Sequence, residues 1–458
     1  MNKYLELINT KRHSVIESGI KPVFSSDALF DYQKFVVDKT VRMGRHAVFL
    51  DTGLGKTIVQ LSVAQNYIQT FNKPALIVTP LAVAFQFVKE AEKYGFNSIE
   101  YSRTGSHTKE IVLCNYEQIE KFNPDDFSVI LLDESSILKN SDGATRITVN
   151  AFLRKAPYRF LSTATPSPND FVELGTASEA LGHLGYVDML GRFFTNRESS
   201  LSPNDIGVKW ILKPHATDDF FSWVSGWATS MRKPSDLGFD DSRHILPSLT
   251  VNDVLVKNKH PIEINGQMEM FVRPSSRLTE VREETKKTLQ ERCEIAVDLA
   301  QKAGTSVYWC NLNSEAELIR SIDKDAAEVK GSDSIEKKED TLLAFAEGKI
   351  SRLITKPKIT SFGLNWQHCN HTVFFPTFSY EQYYQAVRRF WRFGQKNPVT
   401  VDLVYSEGQE KVITALKEKQ VKADALFSKL NSAVNKSINT SGKEFANKLV
   451  LPTFLGGK

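Results

Sequence analysis

The chain has 458 residues and carries 58 Lys and Arg against 54 Asp and Glu, so its formal net charge is only +4. This length allows two or three domains that each bury a core, and so small a charge leaves nucleic-acid contacts to locally grouped basic residues. No segment reaches the roughly 18 apolar residues of a membrane span, which predicts a soluble cytoplasmic protein with no membrane partner.

The first informative pattern is a glycine turn between an apolar run and an amphipathic segment. Residues 47–50 are apolar, Asp51 to Thr57 reads Asp-Thr-Gly-Leu-Gly-Lys-Thr, and residues 58–68 carry apolar side chains at helical spacing. Glycines let backbone N–H groups cradle phosphate oxygens at a helix N-terminus, while lysine charge suits the outer phosphates and a threonine hydroxyl suits magnesium. The pattern predicts a binding site for the phosphates of a nucleotide together with magnesium, although a chance strand-turn-helix has the same local form.

A second apolar run, residues 129–132, ends in two adjacent carboxylates, Asp133 and Glu134. Carboxylates at the C-terminal end of a buried parallel strand lie where α/β sheets bind ligands. We predict that Asp133 holds magnesium through water and that Glu134 orients or deprotonates the attacking water as general base. An acidic helix N-cap is the alternative, and Lys56 and Thr57 earlier in the chain favour the catalytic interpretation.

Residues 170–245 interrupt the alternation of strands and helices and are rich in aromatic side chains, with little strand pattern. These aromatics are Phe193, Phe194, Trp210, Phe220, Phe221, Trp223 and Trp227. We predict a mainly helical protrusion from the first lobe, whose aromatics form a helix-packing core rather than a base-stacking platform.

Two arginines, Arg389 and Arg392, lie in an aromatic and basic run far downstream of the glycine turn. Three residues make roughly one helical turn, so both guanidinium groups can face the same way. The planar fork of arginine fits phosphate oxygens, and an arginine at a transferring phosphate contributes about 10³ to 10⁵ in rate. The pair suggests a catalytic site assembled from two lobes, with a packing face or an RNA-binding surface as the alternative.

The fold class that these patterns predict is α/β, with two parallel-sheet lobes, a mainly helical insertion after the first lobe and a helical C-terminal extension. The predicted boundaries are an N-terminal helical segment at 1–24, lobe 1 at 25–169, the protrusion at 170–245, lobe 2 at 246–406, and a C-terminal helix with a mobile tail at 407–458. The lysines of that last helix either contact a nucleic-acid backbone or form a solvated face, and the solvated face is favoured.

The four cysteines predict no metal centre. Cys114, Cys293, Cys310 and Cys369 are widely spaced, without a Cys-x-x-Cys pair and without histidine at zinc-ligand spacing. We therefore expect reduced thiols in the core and no zinc.

With these motifs in place, the chain resembles a superfamily 2 helicase, and within that group the Swi/Snf branch of double-stranded DNA translocases. The similarity covers about residues 31–408. It is carried by the Gly-Lys-Thr turn, the Asp-Glu pair with its Leu-Lys-Asn continuation, the Thr-Ala-Thr-Pro run at 163–166, the Gly-Leu-Asn run at 363–365, and the Gln-Ala...Arg...Arg...Gly-Gln signature at 385–395. The compact chain looks like the short helicases of bacteriophages and mobile elements.

The resemblance implies that both parallel-sheet lobes are RecA-like, and it implies roles for individual residues. For catalysis it implies Lys56, Asp133, Glu134, Arg389 and Arg392. For nucleotide binding it implies Gln33, which would read adenine, with Thr52, Gly53, Leu54, Gly55, Lys56, Thr57, Gly363 and Gln385. The magnesium ligands would be Thr57 and Asp133, and the nucleic-acid contacts Thr79, Asn115, Thr165, Ser361 and Asn365.

The chain departs from the family pattern at several positions. Ser135 and Ser136 replace the Ala-His that follows the Asp-Glu pair, so the usual role of that histidine, coupling hydrolysis to lobe movement, is not carried over. Arg388, Phe390 and Trp391 replace smaller or different residues within the arginine signature.

The predicted function is that of an ATP-dependent translocase or helicase on duplex or branched DNA, in phage or mobile-element replication or recombination inside a bacterial host cell. A nuclease or a replication or recombination protein is a partner that this setting allows. Two alternatives share part of the evidence: an RNA helicase, and a DNA-binding scaffold that uses ATP as a switch without hydrolysing it.

Overall fold

The computed structural model describes residues 17–139, 143–197, 210–257, 262–264, 267–269, 285–359 and 365–444. Most of the predicted N-terminal helical segment and the tail after residue 444 lie outside these ranges. The described chain forms two compact units. The first unit contains the residues up to Thr79, Glu90–Asp241 and the residues from Asp424 onward. The second unit contains Pro80–Lys89 and Ser242–Ala423. No helix in the described ranges is long and apolar enough to cross a membrane.

A seven-stranded parallel sheet forms the centre of the first unit, in the order β3-β4-β2-β5-β6-β1-β9. Its strands are β1 (Arg45–Leu50), β2 (Ala75–Val78), β3 (Ile99–Tyr101), β4 (Ile111–Cys114), β5 (Val129–Asp133), β6 (Arg159–Ser162) and β9 (Ala228–Met231). Strands covered on both faces by helices need apolar side chains at successive positions, which explains the continuous apolar runs in the sequence. The carboxyl ends of neighbouring strands meet at one edge, where ligands bind.

Helices separate these strands in the chain. They are α1 (Asp31–Met43), α2 (Lys56–Phe71), α3 (Leu81–Lys93), α4 (Ala144–Leu153), α5 (Glu173–Leu181), α6 (Tyr186–Phe193) and α7 (Thr217–Trp227). α2 begins directly after the glycine turn and buries ten of its residues, so the turn is held between a central strand and a buried helix.

The predicted insertion contains helices, as expected, but also three strands. β7 (Phe194–Asn196) and β8 (Trp210–Leu212) form an antiparallel pair, and β9 pairs in parallel with β1 at the edge of the main sheet. Its aromatics are confirmed as packing core: Phe193, Phe220 and Trp227 are at most 2% exposed and lie in the same apolar cluster as β1. The short β9 has an Ala-Thr-Ser-Met sequence, without the apolar run that would have predicted a strand.

The second unit has its own parallel sheet, of six strands in the order β10-β17-β16-β13-β15-β14. They are β10 (Leu249–Val256), β13 (Ser306–Trp309), β14 (Ala327–Glu328), β15 (Arg352–Thr355), β16 (His371–Phe374) and β17 (Val399–Ser406), and a separate antiparallel pair comprises β11 (Ile262–Ile264) and β12 (Gln267–Glu269). Two parallel-sheet α/β lobes confirm the predicted fold class.

The remaining helices are α8 (Leu289–Ala303), α9 (Asn313–Ile322), α10 (Ile335–Ala346), α11 (Tyr380–Val387) and α12 (Glu410–Glu444). α12 continues through the polar segment that was predicted to be mobile. Leu426, Phe427, Leu430 and Val434 on it are buried in the apolar cluster of the first unit, which anchors this part of the helix. All four cysteines are buried and unlinked, as predicted.

Candidate nucleotide site

The glycine turn after β1 is shaped around the side chain of Gln33. Gly55 is the N-cap of α2 and has a φ of 77°, a left-handed conformation that favours glycine. A Cβ at Gly55 would lie 2.2 Å from Gln33 Nε2. The same amide nitrogen donates to the carbonyl oxygen of Leu54 at 2.9 Å. The turn therefore depends on glycine both for its backbone angle and for the space that Gln33 fills.

The side chain of Gln33 is 3% exposed, and both its amide oxygen and its amide nitrogen form hydrogen bonds within the protein. Its Oε1 accepts from the backbone N–H of Phe30 at 2.9 Å, and its Nε2 bonds to the turn. Tyr32 adds a second donor to the Leu54 carbonyl at 3.3 Å. In this arrangement Gln33 links the start of α1 to the glycine turn, and its adenine-reading role stays a prediction.

Lys56 lies at the first position of α2 with its ammonium group over the turn. Nζ donates to the carbonyl oxygens of Leu50 at 3.1 Å and Asp51 at 3.5 Å. At the start of the turn, Asp51 Oδ1 accepts from the backbone N–H of Thr52 at 2.6 Å. These contacts keep the lysine charge at the mouth of the turn, where backbone N–H groups and a helix N-terminus already favour anions.

Asp133 is a buried carboxylate at the end of β5, and neutral donors reach both of its oxygens. Gln60 Nε2 donates to Oδ1 at 2.8 Å, and Thr79 Oγ1 donates to Oδ2 at 3.1 Å. Burial raises the pKa of Asp133, while these hydrogen bonds and the charge of Lys56 act in the opposite direction. Burial disfavours the ionised form of this carboxylate, and a bound cation would stabilise that form.

Glu134 follows in a strained backbone conformation. Its φ of 52° is in the left-handed region, which is uncommon outside glycine and concentrates at functional sites. Tyr116, the first residue of the 3₁₀ helix Tyr116–Lys121 after β4, donates its hydroxyl to the carbonyl of Asp133 and, at 3.3 Å, to that of Glu134. The phenol therefore supports the turn that carries both carboxylates.

Two hydroxyl groups donate to a single carboxylate oxygen of Glu134. Ser136 Oγ lies 3.0 Å and Thr163 Oγ1 lies 2.9 Å from Oε1. Thr163 Oγ1 in turn accepts from the backbone N–H of Thr165 at 3.0 Å. Thr163 follows β6, which pairs with β5, so a neighbouring strand end fixes the orientation of the predicted general base.

These residues fit a magnesium nucleotide. The turn offers N–H groups and Lys56 to phosphate, while the Thr57 hydroxyl and the Asp133 carboxylate are the hard oxygen ligands that magnesium prefers. Within the described ranges no group of three or more His, Cys, Asp or Glu could hold a metal ion. Magnesium at nucleotide sites takes one or two protein oxygens beside phosphate and water, so this donor set suits it.

The predicted nucleic-acid residues are mostly buried. Thr79 is fully buried and bonds to Asp133, so its side chain supports the carboxylate site instead of lying on a surface. Asn115 and Thr165 are 6% and 5% exposed, and their side-chain oxygens Oδ1 and Oγ1 have no hydrogen-bond partner within the described structure. Asn365 is half-buried, whereas Ser361 and Gly363 lie outside the described residues.

The arginine signature in the second unit differs from the helical arrangement predicted for it. α11 ends at Val387 with Arg388 as its C-cap, so Arg389 and Arg392 lie in the turns that follow and not on one helix face. Gly394, with a φ of 94°, continues this turn. Gln395 is buried and its Nε2 donates to the carbonyls of Cys369 at 3.1 Å and Phe390 at 3.3 Å, which closes the loop against the core.

Arg388 is a buried structural residue. It is 6% exposed, donates from Nη1 to the Trp391 carbonyl at 3.0 Å and lies 4.8 Å from the centre of the Trp391 ring. Burial, followed by the charge of Arg392, lowers the pKa of Arg388 to about 9. Arg389 and Arg392 are half-buried, and the Arg389 guanidinium lies 5.5 Å from the centre of the Trp366 ring. Gln385 is half-buried on α11.

Sequence reasoning missed Gln60 as part of the carboxylate site. The residue lies four positions after Lys56, is 3% exposed, and stands in an otherwise apolar stretch of α2. A lone amide at a buried position of an apolar helix was the available signal, since buried polar groups are nearly always hydrogen-bonded.

Comparison with known families gives two matches along the chain. Residues 26–168 match the family described as type III restriction enzyme, res subunit. Residues 286–394 match the helicase conserved C-terminal domain. The two matches fall on the two parallel-sheet lobes.

Three curated proteins are similar in sequence. The SWI/SNF-related matrix-associated actin-dependent regulator of chromatin subfamily A-like protein 1 of Xenopus tropicalis is 28% identical over 164 residues, which cover 33% of this chain and 17% of that protein. Its Xenopus laevis counterpart is 28% identical over 150 residues, or 31% and 15% of the two chains. The bifunctional helicase and thymine dioxygenase JBP2 of Leishmania major is 21% identical over 558 residues, or 92% and 48%.

The chain thus spans less than a fifth of the two frog proteins and about half of the Leishmania protein. Among solved structures, the Sulfolobus solfataricus SWI2/SNF2 ATPase core in complex with dsDNA is similar at a TM-score of 0.43 and 17% identity, over 90% of this chain and 96% of that one. At those values the family assignment depends on the family matches and the curated relatives.

Proposed function

Because this chain belongs to the superfamily 2 helicases, in their Swi/Snf-like branch, we propose that it is an ATP-driven motor that translocates on duplex or branched DNA. The observation that carries the proposal is the carboxylate pair at the end of β5, with Asp133 held by Gln60 and Thr79 and Glu134 held by two hydroxyl groups. Such preorganisation suits a hydrolase more than a passive binding site.

In the proposed reaction, Glu134 accepts a proton from water while the water oxygen forms a bond to the γ-phosphorus of ATP. The bond from that phosphorus to the bridging oxygen breaks, and ADP leaves with the electron pair. Lys56 and the N–H groups of the turn bind the phosphates and orient them for attack. Magnesium, held by Thr57 and by Asp133 through water, would neutralise charge that develops on the phosphate oxygens.

We further propose that Arg389 and Arg392 act on the same phosphates, so that ATP turnover is coupled to closure of the two lobes. The support is the match of residues 385–395 to the arginine signature, together with the position of both arginines in an ordered turn. DNA as the track, and duplex DNA in particular, follows from the Swi/Snf-like signature. A setting in replication or recombination stays a prediction.

The experiment that tests the proposal is the steady-state ATPase rate without nucleic acid and with duplex DNA, single-stranded DNA, a branched junction and RNA. Glu134→Gln serves as the blank, because it keeps the shape of the side chain and removes the base. We expect strong stimulation by duplex or junction DNA.

Each other outcome selects an alternative. Stimulation by RNA or by single strands alone identifies a conventional helicase. Binding of ATP without turnover on any nucleic acid identifies an ATP-switched scaffold and overturns the proposal. Lys56→Ala is the second control, and an unchanged rate in that variant would remove the glycine turn from the reaction.

A further inference from the structure

The hydroxyl of Ser136 contacts the side chain that we propose as general base, at a position where the resembled family carries histidine. Ser136 is 5% exposed, and its Oγ donates to Glu134 Oε1 at 3.0 Å. The neighbouring Ser135 is similarly buried at 6%, but among the described contacts no hydrogen bond joins its hydroxyl to the Glu134 carboxylate. Of these two adjacent buried serines, Ser136 is therefore the one whose hydroxyl contacts the carboxylate.

Backbone geometry explains why the second serine makes this contact. Glu134 has a left-handed φ of 52°, and a short 3₁₀ helix, Ser135–Lys139, begins directly after it. The left-handed residue and the 3₁₀ helix that follows it keep the hydroxyl of residue 136 beside the carboxylate of residue 134. A 3₁₀ helix advances about 2 Å per residue, well short of an extended chain, so residues two positions apart stay close.

A second hydroxyl group donates to the same carboxylate oxygen of Glu134. Thr163 Oγ1, from the end of β6, lies 2.9 Å from Oε1. Donors from two different elements restrict rotation of the carboxylate more than one donor can, and hydrogen bonds to a charged acceptor are stronger than neutral ones. The two hydroxyls therefore hold this carboxylate in one orientation.

We propose that Ser136 is a positioning residue for the hydrolysis of ATP, whose hydroxyl holds the Glu134 carboxylate in the orientation that accepts the proton of the attacking water. The inference rests on the proposed function, since it assigns a role within the same reaction. A serine hydroxyl does not titrate near neutral pH, so this support stays in one protonation state where a histidine would change.

The experiment compares Ser136→Ala with Ser136→Thr and with the matched control Ser135→Ala. For each, kcat and KM for ATP are measured with the most stimulating nucleic acid, Kd for a fluorescent ATP analogue is measured separately, and Tm reports folding. Ser136→Thr keeps the hydroxyl, so it tests rescue by the conservative variant.

We expect Ser136→Ala to lower kcat by about tenfold or more, the value of a hydrogen bond to a charged group, with KM and Kd unchanged. Ser136→Thr should recover most of the rate, and Ser135→Ala should resemble wild type. A purely structural role would instead lower Tm or raise KM in both alanine variants.

Three results would overturn the inference: wild-type kcat in Ser136→Ala, an equal loss of kcat in Ser135→Ala, or no recovery in a folded Ser136→Thr protein. Failure of the proposed function is distinguishable, because it appears in the wild-type protein as ATP binding without turnover. That result removes both proposals, whereas wild-type turnover that depends on Lys56 and not on Ser136 removes this one alone.

Discussion

At the residue scale, Gly55 shows how neighbouring side chains restrict which amino acid a motif position can hold. The sequence pattern requires glycine there for phosphate binding, but the fold adds a second requirement, because Gln33 Nε2 lies 2.2 Å from where a Cβ would be. Since the same amide nitrogen bonds to Leu54, displacing Gln33 would release both the turn and the start of α1.

We predict that Gly55→Ala weakens ATP binding and lowers Tm, because it forces Gln33 out of its bonds in addition to straining the left-handed backbone. Gly95→Ala is the matched control: Gly95 has a φ of 83°, and no atom lies within 4 Å of an added Cβ. The control should lose about 1–2 kcal/mol of unfolding free energy, the cost of a left-handed backbone at alanine, and should bind ATP with wild-type affinity. Equal ATP affinity in the two variants would contradict the prediction.

At the element scale, helices α8 and α9 of the second unit are joined by a buried ion pair. Arg292 Nη1 lies 2.7 Å from Glu315 Oε1, and the two side chains are 0% and 1% exposed. Glu315 Oε2 also accepts from the backbone N–H groups of Asn311 and Leu312, both at 2.9 Å, which starts α9. The pair has the additional hydrogen bonds that a buried ion pair needs.

We expect Glu315→Ala to lower the free energy of unfolding by about 3–5 kcal/mol, because it leaves the buried Arg292 charge uncompensated. Asp298→Ala is the control on the same helix, since it removes the carboxylate of an exposed pair with Lys302 whose side chains are 59% and 71% exposed. That change should cost about 0–1 kcal/mol. Urea unfolding measures both, and similar losses would disprove the assignment.

A second ion pair predicts pH dependence. Arg352 donates to both carboxylate oxygens of Asp323, at 2.6 and 2.9 Å, and Tyr308 donates a hydroxyl at 2.8 Å. Burial would raise the pKa of Asp323, but the bonds from Arg352 and Tyr308 outweigh it and hold the pKa below its ordinary value of 3.8. The stabilisation is therefore fully present above pH 3.8 and is lost as the pH falls through the lower folded-state pKa.

Asp323→Asn should thus destabilise the protein at neutral pH, and its difference from wild type should shrink as the pH falls below 3.8. The measurement is the urea midpoint from neutral pH down to about pH 3. Asp325→Asn is the control, because this carboxylate lies 3.5 Å from the same arginine but is 88% exposed. A difference from wild type that does not change with pH would exclude Asp323 as the titrating group.

At the scale of the whole molecule, each unit has its own sheet and core, and the proposed reaction needs residues from both. The first unit supplies the phosphate-binding turn and the carboxylates, while the second supplies Arg389 and Arg392. This division explains why neither family match alone accounts for the proposed activity: residues 26–168 and 286–394 each contain part of the proposed catalytic set.

We predict that Arg389→Ala and Arg392→Ala each lower ATP turnover by about 10³-fold with a much smaller effect on ATP affinity, as expected for arginines that act on the transferring phosphate. Lys396→Ala, an exposed cation in the same loop, should keep the wild-type rate. Arg388→Ala should act differently, through a lower Tm, because Arg388 is buried and bonded to Trp391. Wild-type rates in folded Arg389 and Arg392 variants would remove their role.

The amino-acid sequence by itself predicted the features that depend on consecutive residues. The apolar runs before Asp51 and Asp133 predicted buried parallel strands, and the Gly-Lys-Thr and Asp-Glu groups predicted a nucleotide site at their carboxyl ends. The strand predictions are confirmed because strand burial is a local consequence of side-chain chemistry, whereas nucleotide binding at these strand ends stays a prediction.

Only the tertiary structure decided which distant side chains support that site. Gln60 and Thr79 donate hydrogen bonds to Asp133, which lies 73 and 54 residues further along the chain. Strand β9 pairs with β1 although its sequence lacks the apolar run that predicts a buried strand. The order of strands in a sheet depends on long-range pairing, which the local pattern does not encode. Long-range packing also explains the arginine signature. Residue spacing predicted that Arg389 and Arg392 share a helix face, but the helix ends at its C-cap, Arg388. Phe390 is buried in the core, and both arginines lie in the turns after the helix.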